Sequence, residues 1–414
     1  MTADPRTSSE TGRRSGAGGP LPAILLGSHI AAYGAIRSLA RRRIPVHGVA
    51  EERGIAGRSH YVRSFLRLPP EDDAFIERLN AWAERTVDAK AVVLVAGSDA
   101  YLDVLADGRD RLLPGLRVVG SGRPAIDWFR AKHRTVELAV EAGVGVPQTR
   151  LATSRSALER LVAANDLPPF PVIAKCEHSQ RLLRSHGVKG VVCRSTDELL
   201  AAHDRYAGFY GGMLLQEFVP GPERGQVNVL AVVSAGGAVT ALFVNEKLRT
   251  SREFLSCTLM RSSRSAEAAE ATLRLIRAAR FHGAVNAEFK RDPRDGTLKL
   301  LEVNARLTVS NSHALKCGVD LVHAAYRSAL GEEDPPSSDD RRGPPEGVLW
   351  WYPVGDAVGI LRSLGRGDVH PVRWVGESIG RRMIVAPWSI RDPWPGMWSV
   401  LRAPVAIARR RSRE

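Results

Sequence analysis

The most constraining feature of the sequence is a polar turn between two segments with strand periodicity. The turn reads Asp292-Pro-Arg-Asp-Gly296, and the flanking segments are residues 283–290 and 297–305. Turn residues between alternating apolar positions predict an antiparallel hairpin. If the turn is symmetric, Glu288 lies directly opposite Glu302. Facing carboxylates destabilise a sheet unless something bridges them.

The hairpin should present one polar face. Side chains alternate along a strand, so Asn304 and Arg306 share a face with Glu302, and Asn286 and Lys290 flank Glu288. Mg²⁺ takes carboxylate oxygens and completes its shell with phosphates and water, which favours a divalent-cation site. The alternative is a solvated polar face with Glu–Arg and Glu–Lys cross-strand pairs. Hairpin geometry alone leaves both interpretations open.

Lysine is scarce in this chain, with 8 Lys against 51 Arg, so each lysine marks a place where a compact charge is wanted. Lys132 begins a predicted helix, and Lys175 ends an apolar strand, where a charge is costly without an anion. Together they could hold nucleotide phosphates. The basic loop 176–190 could close over such phosphates, or it is a plain exposed loop. Each lysine alone also fits a surface position.

Composition excludes several classes. The chain has 414 residues, a net charge of +14 and 44% hydrophobic residues, so it can build proper cores and is neither collagenous nor a small disulfide scaffold. It has no apolar run long enough to span a membrane. Four scattered cysteines predict reduced thiols in the cytoplasm. Residues 341–414 carry half of the net charge and six of the eight tryptophans.

Strands and helices alternate from residue 22 to residue 119, which predicts a parallel, doubly wound sheet. Only Gly27 of a dinucleotide-binding glycine pattern is present, and there is no P-loop. The pattern then changes to α+β units built on antiparallel sheet. The predicted divisions are a disordered tail (1–20), a parallel α/β domain (21–123), α+β units (124–213 and 214–333), a linker (334–345) and a small, basic, Trp-rich C-terminal extension (346–414).

Four motifs in this order resemble the ATP-grasp superfamily. They are Phe170-Pro-Val-Ile-Ala-Lys175, Leu215-Gln-Glu-Phe-Val-Pro-Gly-Pro-Glu223, Leu301-Glu-Val-Asn-Ala-Arg306 and Gly318-Val-Asp320. The resemblance covers roughly residues 22–332. It is strongest to the carboxylate–amine ligase branch, which includes D-aspartate ligase-like proteins and relatives of biotin carboxylase. The resemblance implies a pre-ATP-grasp α/β domain (21–123), followed by a small or central ATP-grasp subdomain (124–213) and a C-terminal ATP-grasp subdomain (214–333).

The resemblance also implies roles for matching residues. Lys132 and Lys175 would contact ATP phosphates, and Glu223 would bind the ribose. Gln216 to Val219 would form the adenine-lining hinge, with backbone bonds from Glu217 and Val219. Arg306 would steady the transferred phosphoryl group, with a further cation from Lys247 or Arg249. Mg²⁺ or Mn²⁺ would be held by Glu288, Glu302 and Asn304.

The expected function is therefore an ADP-forming ligase that joins a small-molecule or polymer-linked carboxylate to an amine through an acyl phosphate. The N-terminal domain and residues 306–320, including Ser310, Asn311, Ser312 and His313, would shape its substrate pocket. The alternatives are a carboxylase-like enzyme that uses bicarbonate and a nucleotide-dependent membrane-associated protein. No base-reading helix or aromatic RNA motif is present, so no nucleic-acid partner is predicted. Residues 388–414 suggest peripheral contact with the inner membrane face, with a plain solvated terminus as the alternative. The oligomeric state stays open, with a homodimer as one alternative.

Overall fold

The computed structural model describes residues 19–176, 186, 188–206, 212–222, 224–250, 257–332, 343–357 and 382–402. Most of the predicted tail, of the basic loop 176–190 and of the linker 334–345 lies outside the described residues, as do Glu223 and residues 403–414. Among the described residues, no helix combines the length and the apolar character needed to cross a bilayer. All four cysteines are buried and free of disulfides.

The N-terminal part contains a five-stranded, all-parallel sheet in the order β3-β2-β1-β4-β5, which confirms the predicted architecture. Strand β3 was not predicted, because its sequence Val-Arg-Ser-Phe-Leu-Arg has neither strict alternation nor a continuous apolar run, and none of its residues is fully buried at this sheet edge. Gly27 has φ +133°, and a Cβ there would lie 2.3 Å from the Ala96 carbonyl oxygen, so close packing of β1 against β4 explains this glycine. The strands are β1 Ala23–Leu26, β2 Val46–Ala50, β3 Val62–Arg67, β4 Ala91–Val95 and β5 Leu116–Val118.

Helices connect these strands except between β2 and β3, where a 3₁₀ turn (Ala56–Arg58) lies, and two helices follow β5. Helix α3 ends at Asp107, because Gly108 terminates it and a 3₁₀ turn follows. Ser98 caps its first turn by accepting a hydrogen bond from the Tyr101 amide. The helices are α1 Ile30–Arg41, α2 Phe75–Val87, α3 Asp99–Asp107, α4 Asp127–Arg130 and α5 Lys132–Glu141.

A four-stranded antiparallel sheet follows, in the order β6-β9-β7-β8, with two helices packed on it. Leu158 and Leu199 are fully buried between those helices and the sheet. The elements are β6 Thr149–Ala152, α6 Arg155–Ala163, β7 Val172–Cys176, β8 Gly190–Cys193, α7 Thr196–Tyr206 and β9 Met213–Glu217. This sheet places Lys175, at the end of β7, beside Gln216 on β9.

The largest sheet has seven strands in the order β14-β13-β10-β11-β12-β15-β16. Val229 and Ala231 on one face of β10 share a core with α8, and Leu230 and Val232 on the other face share a core with α10. The elements are β10 Val227–Val233, β11 Val239–Thr250, β12 Cys257–Ser262, α8 Ala266–Ala278, β13 Gly283–Arg291, β14 Leu298–Asn304, α9 Asn311–Lys316, α10 Leu321–Leu330, β15 Leu349–Trp351 and β16 Met383–Val385.

The described part of the predicted C-terminal extension is integrated with the rest of the chain. Strand β15 pairs with β12, and β16 pairs with β15, so both extend the large sheet. The final helix, α11 (Trp394–Leu401), follows a segment anchored on the N-terminal part. There Asp392 accepts hydrogen bonds from Ser59 Oγ at 2.5 Å and, through its carbonyl, from Tyr33 Oη at 3.2 Å.

Candidate active site

The hairpin β13–β14 has the predicted carboxylate pair. Glu288 lies opposite Glu302, and Asn286 lies opposite Asn304. The hairpin is not symmetric about its turn, however, because the register shifts by one residue just after Glu288, and Leu301 is the extra residue. This bulge brings the two glutamates into register. The prediction of facing acids is therefore confirmed, although the assumed symmetry was wrong.

The carboxylate of Glu288 is held from three sides. Lys247 Nζ lies 2.5 Å from Glu288 Oε2 and 3.2 Å from Gln226 Oε1. The side-chain amides of Asn286 and Asn304 donate to Glu288 Oε1 at 3.3 and 3.4 Å. Burial opposes the charge on Lys247, but the neighbouring Glu288 carboxylate outweighs it and raises the lysine pKa. Glu288 is thus oriented, with a cation fixed beside it.

The carboxylate of Glu302 experiences the positive charge of three lysines. Burial opposes its ionisation, but the positive charges of Lys189, Lys132 and Lys175 hold its pKa below the usual value. The Lys175 ammonium donates to Gln216 Oε1 at 2.6 Å. Burial lowers the pKa of Lys175 to about 8; the Glu302 carboxylate opposes this effect, whereas Lys132 reinforces it. Three cations around one carboxylate form a site with excess positive charge, which suits a polyanion such as a nucleoside triphosphate.

Arg306 is fixed by an acid from the N-terminal part of the chain. Its Nε lies 2.5 Å from Asp99 Oδ1, and its Nη2 donates to Asn304 Oδ1 at 3.1 Å. Asp99 also faces Arg130, which binds Asp103 through two hydrogen bonds of 2.8 and 2.7 Å. Burial raises the pKa of Asp99, but Arg306 outweighs it and holds that pKa well below its usual value. Asp99 is a contact of the candidate site that the sequence reasoning missed.

Two adjoining cavities meet at these residues. The larger, of about 720 Å³, is lined by most of the predicted site residues: Lys132, Lys175, Gln216, Glu217, Val219, Lys247, Glu288, Glu302, Asn304 and Arg306. The second, of about 610 Å³, lies outside the carboxyl ends of β1 and β4 and shares Lys132, Lys175, Glu302 and Asn304 with the first. The carboxyl edge of a parallel sheet is the usual ligand site in doubly wound folds. We call the larger cavity the central cavity.

A family model described as ATP-grasp in the biosynthetic pathway with Ter operon matches residues 210–345, which include the hairpin. The same fold is seen in the biotin carboxylase domain of Hydrogenobacter thermophilus 2-oxoglutarate carboxylase, crystallised with MgADP, ADP and bicarbonate. The TM-score is 0.60 at 18% identity, over 77% of this chain and 71% of that one. Residues 210–345 therefore match an ATP-grasp family model, and the chain shares its fold with this solved structure.

Two further solved structures are similar to this chain to about the same degree. The N5-carboxyaminoimidazole synthetase of Staphylococcus aureus, complexed with ADP, gives a TM-score of 0.61 at 14% identity over 76% of this chain and 79% of that one. The L-amino acid ligase of Bacillus licheniformis gives 0.58 at 16% identity over 76% of both chains. No curated protein sequence matches this one.

The predicted hinge uses two of its backbone groups within the fold. The Glu217 amide donates to the Gln148 carbonyl at 2.8 Å, so it serves the sheet and is not free for adenine. The Val219 carbonyl accepts from Lys290 Nζ at 2.9 Å. The hinge groups not used by these two bonds are the Glu217 carbonyl and the Val219 amide.

The Glu217 side chain braces the hinge against the hairpin turn. Its carboxylate accepts hydrogen bonds from Arg294 and, at 3.3 Å, from Lys299. Arg294 and Lys299 both also pair with the fully buried Asp292, at 2.5 and 2.8 Å. Burial opposes ionisation of Glu217, but its hydrogen bonds, first that from the Gln148 amide, hold its pKa below the usual value.

The structure separates Lys247 from Arg249, which the sequence left as alternatives. Lys247 lies in the central cavity beside Glu288, whereas Arg249 Nη2 lies 3.0 Å from Asp356 Oδ2 and does not line the cavity. A register shift between these two residues explains the difference, because it breaks the strand alternation that would place them on one face. Asp356 also accepts from Thr258 Oγ1 and Trp351 Nε1.

We expect Arg249→Met to act on stability. The change would leave the buried Asp356 carboxylate without its cation, so the free energy of unfolding should fall by about 3 kcal/mol. Nucleotide affinity of the folded protein should stay within about twofold of wild type. Denaturant titration and calorimetry measure the two quantities. A large loss of affinity with unchanged stability would return Arg249 to the active site.

The predicted substrate-pocket residues also divide into one that lines the central cavity and others that make structural contacts. Ser310 lines the central cavity. The Asn311 amide donates to the Ala31 carbonyl at 2.9 Å, and His313 Nε2 lies 3.0 Å from the Val348 carbonyl, so both are buried structural contacts. Ser312 Oγ accepts from Trp350 Nε1 at 2.8 Å. Of the four, only Ser310 keeps a place in the pocket.

The donor set on the hairpin fits Mg²⁺. No group of three or more His, Cys, Asp or Glu side chains suited to a metal occurs in the part of the chain that the structure describes. Two carboxylates with an amide oxygen are nevertheless a suitable set for Mg²⁺, which binds one or two carboxylates and takes its other ligands from phosphates and water. Glu288, Glu302 and Asn304 would supply the protein oxygens.

Proposed function

We propose that this protein is an ATP- and Mg²⁺-dependent, ADP-forming ligase of the ATP-grasp type that activates a carboxylate as an acyl phosphate and transfers it to an amine. The observation that carries the proposal is the register of Glu288 opposite Glu302, with Lys132, Lys175 and Lys189 around Glu302. Acids alone would bind a metal without a nucleotide, and lysines alone would bind any anion. Both together suit a metal–nucleotide complex.

Each residue would contribute positioning or charge. Lys132 and Lys175 would hold phosphate oxygens, and Mg²⁺ held by Glu288, Glu302 and Asn304 would neutralise charge that develops on the phosphoryl group. A substrate carboxylate oxygen attacks the γ-phosphorus and ADP leaves. An amine nitrogen then attacks the acyl carbon, phosphate leaves, and the nitrogen loses a proton. Arg306, fixed by Asp99, would face the oxygens of the phosphoryl group during both displacements.

The two cavities support a placement of the substrates. Adenine would lie along the hinge and contact the Glu217 carbonyl and the Val219 amide. The carboxylate substrate would enter from the second cavity, because that cavity opens outside β1 and β4 and reaches Lys175 and Glu302. The Bacillus licheniformis neighbour is named an L-amino acid ligase, which supports an amine as the second substrate.

The test is a screen of carboxylate pools for ADP release, with hydroxylamine as the amine. An acyl phosphate would react with hydroxylamine and give a hydroxamate in a one-to-one ratio with ADP. ADP release stimulated by bicarbonate alone, without hydroxamate from any carboxylate, would favour the carboxylase-like alternative. That alternative has support from the bicarbonate-bound Hydrogenobacter thermophilus neighbour.

We also propose that the enzyme works in the cytoplasm and contacts the inner membrane face through residues 388–414. Support comes from helix α11, where Trp394, Met397 and Leu401 are 46%, 42% and 60% exposed. Exposed aromatic and apolar side chains next to arginines suit a membrane–water interface. In flotation with phosphatidylglycerol vesicles, Trp394→Ser/Leu401→Ser should reduce the bound fraction several-fold. Equal flotation of the variant and the wild type would contradict the contact.

A further inference from the structure

A second depression, which we call the basic groove, lies apart from the acids of the central cavity. It has a volume of about 650 Å³ and is formed by helix α1, helix α9 and residues 384–391. Five cationic side chains and no carboxylate line it. The cations are Arg37, Arg41, Arg43, Lys316 and Arg391.

No carboxylate of the described residues neutralises the charges of the basic groove. Within the described ranges, none of the five cations forms an ion pair with a carboxylate. Arg42, the neighbour of two of them, differs because it lies 3.3 Å from Asp320. Asp392, the other nearby acid, is occupied by Ser59 and His60. Like charges gathered around one depression repel one another, so an anion placed there would relieve their repulsion.

The electrostatic effect is visible at Lys316. Burial lowers the pKa of its ammonium, and the positive charges of Arg37 and Arg41 lower it further. Arg37 and Arg41 are four residues apart on α1, so their side chains leave the same face of the helix. Two guanidinium groups at that spacing can each bind one phosphate or carboxylate group.

The rest of the basic groove is apolar and aromatic. Tyr33 and Ala386 form a buried floor, and the guanidinium carbon of Arg37 lies 5.8 Å from the Tyr33 ring centroid. Trp388 is 39% exposed, and Ile390 is fully exposed at the rim. A cationic rim over an apolar floor suits a ligand with both an anionic and an apolar part.

The basic groove adjoins the active site through shared elements. Ile30, at the start of α1, lines both the basic groove and the central cavity. Helix α9 packs directly on α1 at Gly34, where a Cβ would lie 2.2 Å from Asn311 Oδ1. Ser310, just before α9, lines the central cavity, and Lys316 at its end lines the basic groove.

We propose that the basic groove is a second ligand site, which binds a small molecule with a diphosphate or two separate phosphate groups. This site is independent of the proposed ligase reaction. The anionic groups of the ligand contact Arg37, Arg41 and Lys316, and the apolar part of the ligand lies against Tyr33 and Trp388. Residues 384–391 complete the site, so the site forms only when this C-terminal segment lies against α1.

The test is calorimetric titration of the full chain with inorganic pyrophosphate in EDTA. Wild type should bind, and Arg37→Gln/Arg41→Gln should lose at least about tenfold in affinity. Arg42→Gln is the matched control, because it removes a charge from the same helix end but from a residue that is already paired. Its affinity should stay within about threefold of wild type. Equal weakening by both changes, or no binding to wild type at millimolar pyrophosphate, would overturn the proposal.

A second comparison separates the basic groove from the other proposed sites. If Lys175→Met abolishes pyrophosphate binding while Arg37→Gln/Arg41→Gln retains it, the anion occupies the central cavity and the second site is excluded. In flotation with phosphatidylglycerol vesicles, Arg37→Gln/Arg41→Gln should behave as wild type. Loss of flotation would assign these arginines to a membrane surface and overturn a small-molecule site.

Discussion

Glu302→Gln is expected to weaken the binding of Mg·ATP and to strengthen the binding of free ATP. The carboxylate is a proposed Mg²⁺ ligand, so its loss should raise the Kd of Mg·ATP by about a hundredfold. Without metal, the same carboxylate repels the nucleotide phosphates. Removing it leaves Lys132, Lys175 and Lys189 with less compensating charge, so the affinity for free ATP should rise by about tenfold.

The opposite signs make this prediction selective. A change that merely disturbed the fold would weaken both forms of the nucleotide. Calorimetry with ATP in Mg²⁺ and in EDTA measures the two Kd values on the same protein. Glu267→Gln is the matched control, since Glu267 is an exposed acid that pairs with Arg291 and does not line the central cavity. It should change neither value.

The catalytic consequence follows from the same charge. Once a carboxylate substrate is found, Glu302→Gln should lower kcat for ADP release by roughly 10²- to 10³-fold, the range seen when one stabilising group for transition-state charge is lost. Parallel weakening of ATP in Mg²⁺ and in EDTA, with kcat unchanged, would show that Glu302 has only a structural role. The metal site would then lie elsewhere.

The scarcity of lysine is the feature of the composition that best indicated the residues of this site. Five of the eight lysines line the central cavity, and a sixth, Lys299, braces the hinge through Glu217. In a chain that otherwise uses arginine, the retained lysines mark positions with room for a compact ammonium group and not for a planar guanidinium group. The sequence analysis identified Lys132 and Lys175 for this reason, and Lys189 only as part of the basic loop 176–190. Lys290 has the same signal and was not identified as a nucleotide contact.

The contacts that sequence reasoning missed join distant parts of the chain. Asp99 and Arg306 meet across 207 positions, and no local pattern links them. Helix α3 brings Asp99 to the carboxyl end of β4, and an isolated bridge between Ala96 and Leu307 joins the two regions. Strand alternation also failed where a register shift intervenes, as between Lys247 and Arg249. Periodicity predicts faces within a regular strand, and bulges and domain contacts then decide which side chains meet.

Lys175 should couple stability and nucleotide affinity to pH in opposite directions. Its folded-state pKa of about 8 lies well below the usual value for lysine, because burial disfavours the charged form. Between that pKa and about 10.5, the unfolded chain holds a proton that the folded chain has lost, so stability rises with pH. Lys175 should therefore add about 3 kcal/mol to the free energy of unfolding across this window.

Nucleotide binding should follow the opposite trend. Phosphate oxygens favour the charged ammonium, so ATP affinity in EDTA should be full below pH 8 and fall by up to about tenfold for each further pH unit. Lys175→Met removes the titrating group. Its stability should lose the rise that Lys175 contributes above pH 8, and its ATP affinity should be about a hundredfold lower than that of wild type at pH 7 and nearly flat to pH 9.5.

Measurements at pH 7 and pH 9.5 test both trends, by denaturant unfolding and by calorimetry. Lys90→Met is the matched control, because Lys90 is exposed and outside the central cavity, so its removal should leave both pH trends as in wild type. The two trends have one origin: the energy that burial costs the ammonium in the empty protein is recovered when phosphate arrives. A wild-type ATP affinity that stays constant from pH 7 to pH 9.5 would mean that Lys175 keeps its proton without a ligand. The Gln216 bond and the Glu302 charge would then outweigh its burial.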